Sequence, residues 1–341
     1  LRFRARRWEL PKFVAADGFV VADARAKELL AQHTLSARSY STTALEQMAI
    51  CPYRFYLHAI ARVAELDTPS EPSELGPRER GLLFHEVLSC TLERWLTEEQ
   101  LPLAAADPAL AQSTLDAAFA RVRDEAKERY APAIARVFDI TLASLRRDLT
   151  GWLKAVRSDR DWSPVATELL LQGQTQGGHA AITLEAGVRL SGAIDLVERK
   201  QGSAPELLRA TDFKTGVPRP RLSVTEGAHV LQPLLYALAL ERMYPDAHVS
   251  GGRLYFCTRE QRYTSQEVLL GERSRGVARD LFAAIDDLLQ QGFLPAVPER
   301  DACERCEYVA ICGPHEQERV QRVKHRDFSR LRSLQLLRRL P

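Results

Sequence analysis

The sequence predicts an α/β fold, a mixed β-sheet flanked by helices, and three patterns carry that expectation. Period-two alternation runs through Val165 to Gln172, Ala181 to Gly187, Val188 to Arg199 and Glu206 to Gly216, which reads as four strands. Apolar residues at helical spacing fill Arg80 to Leu153 before those strands and Val230 to Met243 after them. A further strand pattern at Gly252 to Thr258 and a helix pattern at Arg273 to Gln291 complete the alternation that covers a sheet with helices.

Along the chain, Ser39 to Val63 opens on Ser and Thr and continues with Leu45, Met48, Ala49, Phe55 and Leu57 at helical spacing. It reads as two short helices meeting at the Cys51–Pro52 step. Leu66 to Arg78, rich in Pro, Ser and Glu, reads as a loop. The helical layer, residues 80–160, carries one apolar stripe of Leu82, Leu83, Val87, Leu88, Leu92 and Trp95 and is broken at Pro102 and Pro108. The strands place a catalytic sheet at 161–260, and no internal repeat is visible.

With 341 residues, 45% hydrophobic and 27% charged, the chain can bury one large core or two modest ones, and nothing in this balance suggests disorder. A net charge of +2 neither requires nor forbids a polyanionic partner, and local charge decides. Arg and Lys concentrate at the two ends, in LRFRARRW and between Arg319 and Arg339, where a solvated face and a phosphate-contacting one are equally good readings. The first residue is Leu rather than Met, so residues 1–36 are expected to be an extension or a remnant of an upstream domain. Residues 37–318 then form the main domain and 319–341 a basic tail. No run of eighteen apolar residues and no secretory leader are present, so a cytoplasmic setting without a membrane is expected, with six reduced cysteines.

In a strand, residues two apart share a face, so Asp212 and Lys214 of TDFKTG point the same way just before Gly216. If the strand carrying Asp195 pairs with it, two carboxylates and an ammonium converge. Two acids that close need a cation between them, and hard oxygen ligands favour Mg2+ or Mn2+. A lone Asp-x-Lys arises about once by chance in a chain of this composition, so the triplet alone is weak. Its order gives it weight: Gly81 and His85 in GLLFHEVL, Glu168 in the first strand, Asp195 in GAIDLV, DFKTG, then Gln232 and Tyr236, four apart on one helix face.

This ordered set resembles the RecB-type group of the PD-(D/E)XK nucleases, whose pattern is G-x-x-x-H, a strand glutamate, G-x-I-D, D-x-K-T-G and Q-x-x-x-Y. All five elements match between Gly81 and Tyr236. The resemblance implies a restriction-endonuclease-like fold, with Asp195, Asp212 and His85 as metal ligands and Lys214 as the catalytic lysine. Glu168 would support the site or the ion through water, and Gln232 and Tyr236 would hold the DNA strand or Lys214.

The cysteines make a second constellation. Cys303, Cys306 and Cys312 follow C-x2-C-x5-C, a spacing that wraps three thiolates around one centre, and Cys51 is the natural fourth ligand far upstream. Cys90 and Cys257 sit in apolar helical and strand patterns and read as buried thiols. An upstream Cys-Pro followed by three clustered cysteines resembles the [4Fe-4S] staple of AddB-type nucleases, although four thiolates suit structural Zn2+ equally well by their chemistry. Together the resemblances imply a Mg- or Mn-dependent deoxyribonuclease, an exonuclease on single-stranded DNA, within a helicase-nuclease that repairs double-strand breaks and has a helicase domain or subunit as partner. A stand-alone CRISPR-associated nuclease and a catalytically idle DNA-binding module with a structural cluster are the alternatives.

Overall fold

The computed structural model describes residues 2–9, 11–18, 24–64, 75–98, 102, 104–171, 181–218, 223–304, 306–324 and 329–341. Its centre is a five-stranded mixed sheet in the order β2 (Trp162–Leu170), β5 (Ala193–Lys200), β6 (Leu207–Lys214), β7 (His248–Phe256) and β8 (Ser265–Leu269). All neighbours run antiparallel except β6 and β7, which are parallel and are joined through α8 (Gln232–Met243) as a crossover. A smaller sheet, β1 (Ser39–Tyr40), β4 (Arg189–Leu190) and β3 (Ile182–Thr183), lies apart from it.

Alternation along the central strands sends residues to two separate cores. Val197, Leu208 and Ala210 pack with α8, with α9 (Glu272–Gln290) and with α3 (Thr42–Ile50). On the opposite face Leu196, Phe213 and Tyr255 meet the helical layer of α5 (Pro77–Thr97), α6 (Pro108–Tyr130) and α7 (Ala135–Ser158), where the Trp95 and Trp152 rings stack at 5.8 Å. Close approach of α8 to the sheet depends on Gly252 of β7, because a Cβ there would lie 1.9 Å from the Pro233 carbonyl oxygen.

The structure departs from the sequence expectation in definite places. Val188 to Arg199 is two strands, β4 and β5, separated at Gly192, whose φ of +137° breaks the ladder and divides them between two sheets. Ala181 to Gly187 contributes only the two-residue β3, so it lies outside the central sheet. The helical layer has a further break between α6 and α7, where Ala131 adopts φ +38° ahead of Pro132, a left-handed helix end of the usual kind. Strand β8 lies outside the sequence expectation, since SQEVL is short and polar at three of its five positions. Gln172 and residues 66–74 of the expected loop lie outside the described residues, and Arg78 belongs to α5.

Both chain ends fold onto the domain. Helices α1 (Arg2–Glu9) and α2 (Ala24–Ala31) precede β1, α4 (Pro52–Phe55) follows α3, and α10 (Val309–Cys312), α11 (Glu316–Val323) and α12 (Arg332–Leu337) close the chain. Asp17 is fully buried and accepts from Arg319 Nη1 at 2.7 Å and Lys324 Nζ at 2.9 Å, while Arg7 Nη2 reaches Glu316 Oε2 at 2.7 Å. Arg338 donates to the backbone carbonyls of Ala49, Ile50 and Val297. These four basic residues, candidate phosphate contacts by composition, are consumed by internal partners. Replacing Asp17 with Ala leaves Arg319 and Lys324 buried without their shared carboxylate, and the expected cost is about 3 kcal/mol, read as a lower urea midpoint.

Candidate active site

Three elements, β6, β5 and α5, bring the first of the candidate side chains together at one end of the central sheet. β6 ends in Asp212 and Lys214, and β5 supplies Asp195, one position beyond the Leu196–Thr211 pair, on the same face as Asp212. Asp195 Oδ2 accepts the Phe213 N–H at 2.7 Å, which sets the two carboxylates side by side. From α5, His85 Nδ1 stands 3.3 Å from that Asp195 oxygen, and its ring meets the Phe213 ring edge-on at 6.2 Å. Gly81 lies one turn earlier on α5, facing the Thr215 hydroxyl that follows β6.

Lys214 Nζ lies 2.5 Å from Asp212 Oδ2. That oxygen is sealed from solvent, and the Asp212 charge and hydrogen bond hold the Lys214 ammonium charged against the cost of its burial. Glu168 stands exposed on the edge strand β2 at φ +48°, a left-handed conformation that a strand glutamate adopts only when its surroundings enforce it. After burial and the Asp212 charge, the Glu168 charge also pushes Asp195 up, so Glu168 belongs to the same electrostatic site. Tyr236 is buried on α8, its hydroxyl bonded to Thr42, and burial together with the Asp212 charge raises its pKa well above normal. Gln232 is half-buried at the first position of α8.

Glu46 is a site residue that the sequence reading missed. It is the sole charge on α3, TTALEQMAI, and no local motif marks it. Its Oε1 accepts the Leu231 N–H at 2.8 Å, just before α8, and burial pushes its carboxyl up to about 7 even though Leu231 and Lys214 favour the charged form.

Negative charge is in surplus here. Burial and the neighbouring Asp212 push Asp195 up to about 8, and burial lowers the pKa of His85, which leaves its imidazole neutral and able to donate a lone pair. Four acids gathered round one ammonium suit a hard divalent cation. Among the described residues no three His, Cys, Asp or Glu side chains are gathered as a ready coordination set. The Lys214 ammonium stands against the Asp212 oxygen that an ion would use.

A sequence profile of the PD-(D/E)XK nuclease superfamily matches residues 39–313. The chain belongs to the PD-(D/E)XK nuclease superfamily. No curated protein matches the sequence. Membership makes the sheet and its helices a restriction-endonuclease-like fold and the chain a nuclease, whose superfamily typically uses Mg2+ or Mn2+ on DNA. No helix among the described residues is long and apolar enough to cross a membrane.

In this PD-(D/E)XK chain the four outlying cysteines also come together. Cys51, Cys303, Cys306 and Cys312 line one small cavity of about 30 Å³, with Tyr53 and Tyr308 on its wall. An ion pair of 2.7 Å between Arg54 and Glu307 ties the helix after Cys51 to the cysteine loop. Burial pushes the Cys51 and Cys303 thiols up to about 11 and Cys312 up to about 12, against the weaker pull of Arg338, Arg54 and Arg7. Without a bound cation the four sulfurs are therefore held as thiols. Cys257 is buried outside this cavity, whereas Cys90 is only half-buried and accepts from Arg121.

Proposed function

We propose that this chain hydrolyses phosphodiester bonds of single-stranded DNA as an exonuclease, with Mg2+ or Mn2+ held by Asp195, Asp212 and His85. The observation that carries this reading is the pair of carboxylates on adjacent strands beside one ammonium and one neutral imidazole. A divalent ion there would polarise the phosphodiester and lower the pKa of a bound water. Lys214 orients the attacking water and stabilises the charge that grows on the phosphoryl oxygens, a task for which its shared position with Asp212 prepares it. Glu168 supports the rim through water, while Gln232 and Tyr236, one turn apart on α8, fix the strand or the lysine.

The Glu46 charge acts on the same lysine, and its Oε1 also holds the start of α8. Glu46→Gln keeps an oxygen that can accept the Leu231 N–H but removes the charge. Its expected effect is a kcat lower by roughly tenfold, with KM and melting temperature near wild type, whereas Glu46→Ala loses stability as well. A Gln variant of full kcat would confine Glu46 to capping.

The pH dependence of metal binding has a definite sign. Asp195 titrates near 4 when unfolded and at about 8 in the metal-free fold. The raised value penalises the metal-free fold increasingly as pH rises from about 4 to 8. An ion bound between two ionised carboxylates removes that penalty, so Mn2+ is expected to raise the melting temperature more at pH 8 than at pH 6. A thermal shift equal at both pH values would contradict the shared ion.

The four cysteines support a second part of the reading: a [4Fe-4S] cluster, or Zn2+ as the alternative, held by Cys51, Cys303, Cys306 and Cys312. What supports it is that three thiols from one tight loop and a fourth from the α3–α4 step line one cavity, and four thiolates drawn together round a centre would close its coordination. Such a site fits an AddB-like nuclease domain acting beside a helicase domain or subunit in double-strand-break repair. The experiment that tests the main reading is degradation of a labelled single-stranded oligonucleotide in Mn2+, comparing wild type with Asp212→Asn. Processive shortening from an end that stops in the variant supports it. Equal degradation by both proteins removes it.

A further inference from the structure

Two open cavities of 770 Å³ and 570 Å³ share His58 and Arg62, so they form one continuous trough. One end is walled by Arg78, Tyr308 and the cysteine loop; the other by Arg38, Ser41 and Ser191. Ser191 precedes Gly192, where a Cβ would stand 3.7 Å from Tyr236 Oη, so the trough opens beside the acidic site. Its floor includes the start of α3, whose N-cap is Ser41.

The charge of this trough is positive and available. Arg62 and Arg78 are exposed and have no carboxylate partner among the described residues. Arg38 is pre-oriented, donating to His33 Nδ1 at 2.9 Å and lying over the Tyr40 ring at 5.3 Å, and both Arg38 and Arg62 act on His33. Of the two glutamates on the wall, Glu307 is already held by Arg54. Arg62 also has φ +52°, so the chain sustains a strained backbone at the point where the two cavities join. The tyrosine rings on the walls, Tyr40 and Tyr308, are 2% and 4% exposed, which leaves the guanidinium groups and the exposed His58 imidazole to meet a strand.

We propose that this trough is a binding track for the sugar-phosphate backbone of the DNA strand entering or leaving the site, with Arg38, Arg62 and Arg78 each contacting phosphate. The substrate class rests on the nuclease reading above. The track makes binding independent of sequence, because arginines on phosphates position a strand without reading its bases. It also joins the cysteine loop to the path of the strand, so that loop guides substrate in addition to pinning the chain. An acidic peptide is the less favoured occupant, because the trough leads towards the site of a nuclease-superfamily chain.

The test is fluorescence anisotropy of a 30-nucleotide single strand with the Asp212→Asn protein in Ca2+, with and without Arg38→Gln, Arg62→Gln and Arg78→Gln together. The triple variant is expected to bind about tenfold more weakly. The slope of log affinity against log salt should fall by about two, at roughly 0.7 per lost phosphate contact. An unchanged slope and affinity overturn the track, as does equal competition by polyglutamate. Arg62→Glu serves as a second, single-site check and should weaken binding further than Arg62→Gln. Because this readout needs no cleavage, a normal slope with active wild-type nuclease sinks the track alone. A reduced slope with no nuclease activity in Mn2+ sinks the reading of the site and leaves the track.

Discussion

Asp212→Asn is expected to lower oligonucleotide cleavage by about 10³-fold, which corresponds to roughly 4 kcal/mol of lost transition-state stabilisation. The same substitution is expected to raise the melting temperature of the metal-free protein. Asp212 is buried, and after burial its charge is the main reason that Asp195 holds its proton up to about 8, while the amide oxygen introduced by the substitution can still accept from the Lys214 ammonium. Removing that charge relieves a repulsion between two side chains on neighbouring strands. A functional carboxylate therefore separates from a structural one by opposite signs in two assays. If cleavage persists, or if cleavage and stability fall together, Asp212 is holding the sheet and not an ion.

Cys51→Ser is expected to abolish the broad visible absorbance of an iron-sulfur centre, and to cost about 5 kcal/mol, the scale on which closing so long a loop reduces the freedom of the unfolded chain. The corresponding fall in melting temperature is about 10 °C. Cys51 and Cys303 stand near opposite ends of the sequence, yet both line the same cavity. Conversion of one sulfur to one oxygen leaves packing nearly unchanged, so a large loss reports the bound centre. Protein that contains zinc and no visible band, and that loses the same stability on substitution, keeps the staple and changes only its metal. A variant as stable as wild type contradicts both.

The sheet and its acids were legible because their signals are local. DFKTG carries strand alternation, the two candidate site side chains and the terminating glycine within a few residues, and Gln232 and Tyr236 lie one helical turn apart. The pairing of β5 with β6 followed once Asp195 had to meet Asp212. Glu46 escaped because its partners, the Leu231 N–H and Lys214, are remote in sequence, and a single glutamate on a short helix is indistinguishable from a solvated one. Arg7, Arg319, Lys324 and Arg338 escaped for the same reason with the opposite sign. Composition records their charge, but whether a carboxylate or a carbonyl consumes it is decided by contacts between the two ends of the chain. The division of Val188 to Arg199 between two sheets turns on one left-handed glycine that alternation does not reveal.

The central claim is that Asp195 and Asp212 share a divalent ion with His85. It is tested most directly by an anomalous difference map from a crystal soaked in Mn2+ and recorded at the manganese edge. One strong peak bounded by those two carboxylates and the His85 imidazole, with the Lys214 ammonium withdrawn from Asp212 Oδ2, is the expected result. A site that stays empty at high Mn2+, with Lys214 still seated on Asp212, would contradict it.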